Sequence, residues 1–165
     1  MAVFNTREWL RGHIIHADRL DDLTWDAVSG FTVLWNVFES AHCKRWVSVA
    51  AIERLADRLG PHFVLPENLL IARHFWLDRY VIAGETNHLF EGLHLDRNKR
   101  EDFVRRVLLN ANAPSDDWFK ALLLIVYRLR NNLFHGEKGI PDLNDQAKNL
   151  SNACLTLATA LEILH

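Results

Sequence analysis

Ser115-Asp116-Asp117-Trp118-Phe119-Lys120-Ala121-Leu122-Leu123-Leu124-Ile125-Val126-Tyr127-Arg128-Leu129-Arg130-Asn131-Asn132-Leu133-Phe134-His135-Gly136 reads as one long helix, and it decides the fold class. Ser115 and the two aspartates are a start signal, because side-chain oxygens satisfy orphan amides and negative charge suits the positive end of a helix dipole. Trp118, Leu122, Ile125, Leu129 and Leu133 recur at helical spacing. The pattern runs to about His135 and breaks at Gly136 and Gly139-Ile140-Pro141. Its densest apolar run, Ala121 to Tyr127, is far short of the ~20 residues that a membrane span requires, and Lys120 and Arg128 close it off.

Helical periodicity extends outward in both directions, and no segment shows the sustained two-residue alternation of a half-buried strand. Toward the C-terminus, Asp142 or Asn144 opens a last helix in which Leu143, Ala147, Leu150, Cys154, Leu157, Leu161 and Leu164 form a seam for another helix or another subunit. Toward the N-terminus, Asn5 with Glu8 resembles a capping box for a first helix running to about Leu20, with Trp9 and Ile14 inward. After a break at Asp21-Asp22, Thr24 is expected to cap a second helix bearing Val28, Phe31, Leu34, Trp35 and Phe38, ending near His42. A third helix from Trp46 stops at Gly60-Pro61, and Pro66 opens a fourth. Gly84 to Leu95 reads as irregular or a short helical piece, and Asp96 as the cap of a charged helix carrying Phe103, Val104, Val107 and Leu108. The expectation is an all-α, single-domain helical bundle over residues 1–165, with a core of four to five helices plus short accessory helices.

Composition agrees with that reading. The 165 residues are 49% hydrophobic and 24% charged, near globular averages, and they include only seven glycines and four prolines. Turns are therefore scarce and elements long. A net charge of −2 lacks the basic excess of proteins that grip long stretches of duplex. Any nucleic-acid site must be local. Cys43 and Cys154 lie far apart without metal or redox spacing, which fits reduced, buried thiols. The start, Met1-Ala-Val-Phe-Asn-Thr-Arg-Glu-Trp9, has no apolar secretory core, and the expected localisation is cytoplasmic.

Chemistry concentrates at the end of the long helix, in Arg128 to Lys138. Histidine exchanges protons near neutral pH, and a guanidinium can hold a phosphate through paired hydrogen bonds and stabilise charge building on a pentavalent phosphorus. Asn131 can position a 2′-hydroxyl or a phosphate oxygen, and Arg128, Asn132 and Lys138 are candidates for RNA or phosphate binding. Alternatively, Arg and His only complement the helix dipole while Asn132 and Gly136 make the C-cap. Asn131 and His135 share a face, whereas Arg130 and His135 stand roughly 140° apart and ~7.5 Å along the axis of an ideal helix. They converge on one substrate group only if the last turn unwinds or a second copy packs alongside.

Arg130-Asn131-x-x-x-His135, followed by Gly-Glu-Lys and an Asp-rich start to a Leu-rich final helix, resembles the R-N-x-x-x-H signature of HEPN domains (higher eukaryotes and prokaryotes nucleotide-binding). Phe31-Thr-Val-Leu-Trp35-Asn36-Val-Phe38-Glu39 is similar, more loosely, to the second helix of some HEPN families, where a polar residue faces the motif. The resemblance implies a helical bundle and a metal-independent endoribonuclease, in which the 2′-oxygen attacks the adjacent phosphodiester to leave a 2′,3′-cyclic phosphate. It implies catalytic roles for Arg130, Asn131 and His135, with Asn36 and Glu39 as second-tier candidates, no cofactor and no metal. RNA as substrate, a homodimer with both motifs in one cleft, and a toxin–antitoxin or phage-defence setting with an antitoxin or regulatory partner also follow from it. Some members bind nucleotides or serve as helical interaction modules without cleaving, which is the alternative for this chain.

Other signals carry less. His13 and His16 have chelating spacing but no third ligand nearby. Trp9, Trp35, Trp76 and Trp118 lie on apolar faces and are expected in the core.

Overall fold

The computed structural model describes residues 3–44, 46–60, 62–136 and 139–165. The chain is an all-α helical bundle with one small hairpin: α1 (Thr6–His13), α2 (Asp22–His42), α3 (Val49–Asp57), α4 (Glu67–Tyr80), β1 (Val81–Ile82), β2 (Glu85–Thr86), α5 (His88–Glu91), α6 (Glu101–Leu109), α7 (Ser115–Phe134), α8 (Ile140–Leu143) and α9 (Ala147–Ile163). Short 3-10 turns at Ala17–Arg19, Leu95–Asn98 and Asn144–Gln146 join some of them.

The long helix is the axis of the molecule. Ala121 through Val126 of α7 are all buried, so α7 has no polar flank over that stretch. It packs against α3, α4, α6 and α9, while α9 also covers α2 and α4. A helix enclosed on all sides needs apolar residues all round, which is why Ala121–Tyr127 is nearly continuous in hydrophobicity. Phe31, Trp35 and Phe38 of α2, Trp76 and Tyr80 of α4, Trp118 and Leu122 of α7 and Leu150 and Leu157 of α9 belong to one core cluster. The leucine-rich seam of the last helix is therefore used within the chain. Gly30 sits on α2 where a Cβ would meet the Sγ of Cys154 at 3.9 Å, an ordinary contact.

Several local expectations are corrected. The first helix ends at His13, not Leu20, and its Asn5 cap accepts from the Glu8 amide at 3.1 Å. It buries no residue: Trp9 is 43% exposed and stacks on His13, and Ile14 is also exposed. Asp21 rather than Thr24 caps α2, its carboxylate accepting from the Thr24 amide at 2.6 Å. The third helix begins at Val49, capped by Ser48. Val81–Ile82 pairs with Glu85–Thr86 around Ala83 and Gly84, both at positive φ, where only helix or loop was expected. The charged segment at Asp96 forms a 3-10 turn, and α6 starts at Glu101. Ser115 is the first residue of α7 after Pro114, and the last long helix starts at Ala147 after two short turns. Among the described residues no helix is long and apolar enough to cross a membrane.

Candidate functional site

The last two turns of α7 hold most of the residues singled out by the sequence, and they divide into an inward and an outward set. Arg128 is only 5% exposed. Its Nε donates to the Leu93 carbonyl at 2.8 Å, Nη1 to Asn98 Oδ1 at 3.1 Å and Nη2 to Asn132 Oδ1 at 3.3 Å. Asn132, also buried, donates from Nδ2 to the Gly92 carbonyl at 3.2 Å. A buried guanidinium is tolerated only when its donors are matched, and here they are matched by a turn that has no regular partner of its own. Arg128 and Asn132 thus clamp the segment between α5 and α6 onto α7. Their expected place on a phosphate-binding surface gives way to this internal one, because a helix apolar on every side buries its polar residues as well.

Arg130 and Asn131 face outward and touch each other, with Nη1 of Arg130 donating to Asn131 Oδ1 at 3.2 Å. The Arg130 guanidinium carbon lies 5.8 Å from the ring centre of Trp35 on α2 and 5.2 Å from that of Phe134, one turn further along α7. Cation–π contacts of this kind contribute about 0.5–2 kcal/mol each and fix the plane of the group. Arg130 Nε is shielded and has no acceptor, and no carboxylate pairs with the side chain among the described residues. The rings supply faces and leave N–H edges, so the guanidinium is oriented without being neutralised. Phe134 was missed by the sequence reading although its i+4 spacing from Arg130 makes the two helical neighbours; Trp35 had no such local signal, because its approach depends on how α2 lies against α7.

His135 caps the C-terminus of α7, its amide donating to the Asn131 carbonyl at 3.0 Å, and Gly136 follows at φ +68°. The side chain is exposed. This bond closes the last turn of α7 up to Phe134, while His135 itself leaves the helix at φ −91° and ψ 8°, so the turn that carries Arg130 is not unwound. Asn36 is exposed beside Trp35, and Glu39 turns away to the α2–α3 connection, its Oε1 accepting from the Val47 amide at 3.1 Å. Neither bonds to Arg130, Asn131 or His135 among the described residues. Lys138 lies outside the described residues.

Among the described residues the cysteines and the histidines of the N-terminal segment form no reactive cluster. Burial pushes the thiols of Cys43 and Cys154 up to about 11, so both are protonated near neutral pH, and they are not bridged. His13 Nδ1 lies 2.8 Å from the Trp9 carbonyl, which occupies one of its ring nitrogens. Among the described residues no group of three His, Cys, Asp or Glu side chains is arranged to hold a metal.

The chain has no match among known protein families, curated proteins or solved structures.

Proposed function

We propose that this chain is a metal-independent endoribonuclease of the HEPN type, working as a homodimer. The observation that carries the reading is Arg130: a guanidinium held between Trp35 and Phe134, bonded to Asn131 and unpaired with any carboxylate among the described residues. Such a group meets the requirement for binding a phosphodiester and stabilising charge on a phosphorane, because its orientation is set before substrate arrives.

In this mechanism the 2′-oxygen forms a bond to phosphorus while the bond from phosphorus to the 5′-oxygen breaks. The 2′-hydroxyl gives its proton to a base, and the departing 5′-oxygen receives one from an acid. His135 performs one of these transfers. Arg130 grips the non-bridging oxygens, and Asn131 orients the substrate or the guanidinium. Residues five apart along an ideal helix stand roughly 140° around its axis, and the last turn of α7 is closed up to Phe134, which sets Arg130 and His135 of one chain apart. A second copy therefore supplies the imidazole that meets each Arg130. Arg128 and Asn132 support the reaction from behind by holding α7 in place, and the biological setting is toxin–antitoxin or phage-defence.

The test is cleavage of a mixed RNA pool, with EDTA present, by wild type, Arg130→Ala and His135→Ala protein. Cyclic phosphate ends from wild type alone support the reading. Equal inertness of all three moves it to the second reading, a non-catalytic helical interaction module, which the half-exposed Phe134 and the exposed Val33 and Val37 of α2 favour.

A further inference from the structure

On a different face of α7 from Arg130, the end of α4, the short helix α5, the Gly92–Leu93 turn, the last turns of α7 and the start of α9 close around a cavity of about 250 Å³. Leucines of α5, α7 and α9 and Leu93 form its apolar wall, and Arg79, Tyr80, His88, Asn132, Gln146 and Asn149 supply its polar groups. Among the described residues no Asp or Glu lines it, and the permanent charge these residues give it is the positive charge of Arg79.

Two polar atoms of its lining residues lack partners among the described residues. Asn149 is 2% exposed, and its Nδ2 donates to Gln146 Oε1 at 2.8 Å, yet its shielded Oδ1 receives no hydrogen bond. Arg79 Nε is shielded and likewise has no acceptor. Asn132 is different, because both ends of its amide are already used by Arg128 and the Gly92 carbonyl. Buried polar atoms are almost always paired, and where exceptions belong to residues that line a cavity, a bound ligand or an ordered water completes the set. Burial also holds the Tyr80 hydroxyl protonated, far above its ordinary range, against the opposing pull of Arg79, which hydrogen-bonds to it.

We propose that this cavity binds a small amphipathic anion: a compact, largely apolar molecule with one acidic group for Arg79 and His88 and one N–H or O–H for Asn149 Oδ1. A cavity of about 150 Å³ encloses benzene and drug-sized sites begin near ~300 Å³, so the space suits a molecule of roughly ten to fifteen non-hydrogen atoms. Single-ring and fused-ring aromatic carboxylic acids have that size and polarity. The site shares no side chain with the Arg130 constellation, and the proposal stands whether or not the chain cleaves RNA.

The test is a titration followed by heteronuclear NMR, with benzoate, 4-hydroxybenzoate and indole-3-carboxylate as probes and 4-hydroxybenzamide as the neutral control. At least one acid is expected to shift the Leu93 and Leu133 backbone amides and the Asn149 side-chain amide saturably. The neutral amide is expected to bind about tenfold or more weakly, and Arg79→Gln to lose a similar factor for the acid. Leu89→Trp, at the half-open rim, fills the cavity and abolishes the shifts while the remaining spectrum stays native. The proposal is overturned if no acid gives saturable shifts by about 10 mM, if the neutral amide binds as well as the acids, or if binding survives Leu89→Trp.

Discussion

The guanidinium of Arg130 lies 5.8 Å from the ring centre of Trp35, across the approach of α2 to α7. That relationship turns a charged residue at the end of an apolar helix into an oriented one. Trp35 is buried and also stacks on Tyr127 at 6.2 Å, so the shelf beneath Arg130 belongs to the core. Phe134, on the solvent side, is 50% exposed.

Phe134 can therefore be changed with little damage to the fold. Phe134→Leu is expected to cost about 0.5–1 kcal/mol in urea denaturation, the worth of an exposed cation–π contact. RNA cleavage is expected to fall several-fold, because Arg130 loses one of its two restraints. Unchanged cleavage would remove the ring from the account.

The two arginines of the motif segment are expected to behave oppositely. Arg128→Met strands the Leu93 carbonyl and Asn132 Oδ1 in a buried setting and Asn98 Oδ1 in a partly buried one, and at ~1–3 kcal/mol for an unmet buried group the loss should be about 2–4 kcal/mol after relaxation. Arg130→Met should cost less, about 1–2 kcal/mol, because it gives up two cation–π contacts but leaves no fully buried acceptor unmet. Equilibrium unfolding of both variants checks the assignment; the reverse order would mean that Arg130 is the structural residue.

Much of this architecture was legible in the sequence, and the misses have physical causes. The bounds of α7 followed from an acidic start, an apolar body and a glycine stop, which are local signals. The exposure of Trp9 was not legible, because the eight-residue α1 satisfies that ring by stacking it on His13 instead of burying it. Two-residue strands are too short to show alternation, so only the Ala83-Gly84 turn could have betrayed the hairpin. Arg128 illustrates a further loss: its spacing from Leu124 and Ile125 puts it on a buried face, but residue type suggested the surface. Arg130 and Asn131 stood out in the sequence by their motif, but their mutual hydrogen bond did not, and Trp35 beside Arg130 and the Arg79–Asn149 cavity arise from tertiary packing that no local pattern encodes.

Two glycines should respond with opposite sign. Gly30 lies inside α2 with only an ordinary contact awaiting a Cβ, so Gly30→Ala gains helix propensity and should stabilise by about 0.5–1 kcal/mol. Gly136 takes φ +68° after the α7 cap, so Gly136→Ala should destabilise by about 1 kcal/mol. Thermal unfolding of the pair reads both signs in one experiment, and a stabilising Gly136→Ala would contradict the left-handed cap.

Stability should also depend on pH through His42, whose pKa is held below its usual 6.5, first by burial and then by His165 and Arg58. A histidine with a depressed folded pKa binds its proton more readily when unfolded, so stability is retained above pH 6.5 and falls as pH drops below that value, levelling off once pH is below the folded pKa. Asp21, held low by its Thr24 hydrogen bonds, adds a second loss as pH falls through the acid range below 3.8. Denaturant midpoints of wild type and His42→Gln at pH 7 and pH 5 should show a smaller drop for the variant. An equal drop would assign the dependence elsewhere.

In the proposed dimer Arg130 of one copy and His135 of another complete a single RNA-cleaving site, and the most direct measurement mixes two inactive variants. Arg130→Ala and His135→Ala proteins are each incubated with RNA, then combined, allowed to exchange subunits and assayed again for 2′,3′-cyclic phosphate ends in EDTA. Random exchange makes half of the dimers mixed, each with one intact composite site of two, so the mixture should recover about a quarter of wild-type activity. A mixture as inert as its components, beside an active wild type, would contradict the shared site.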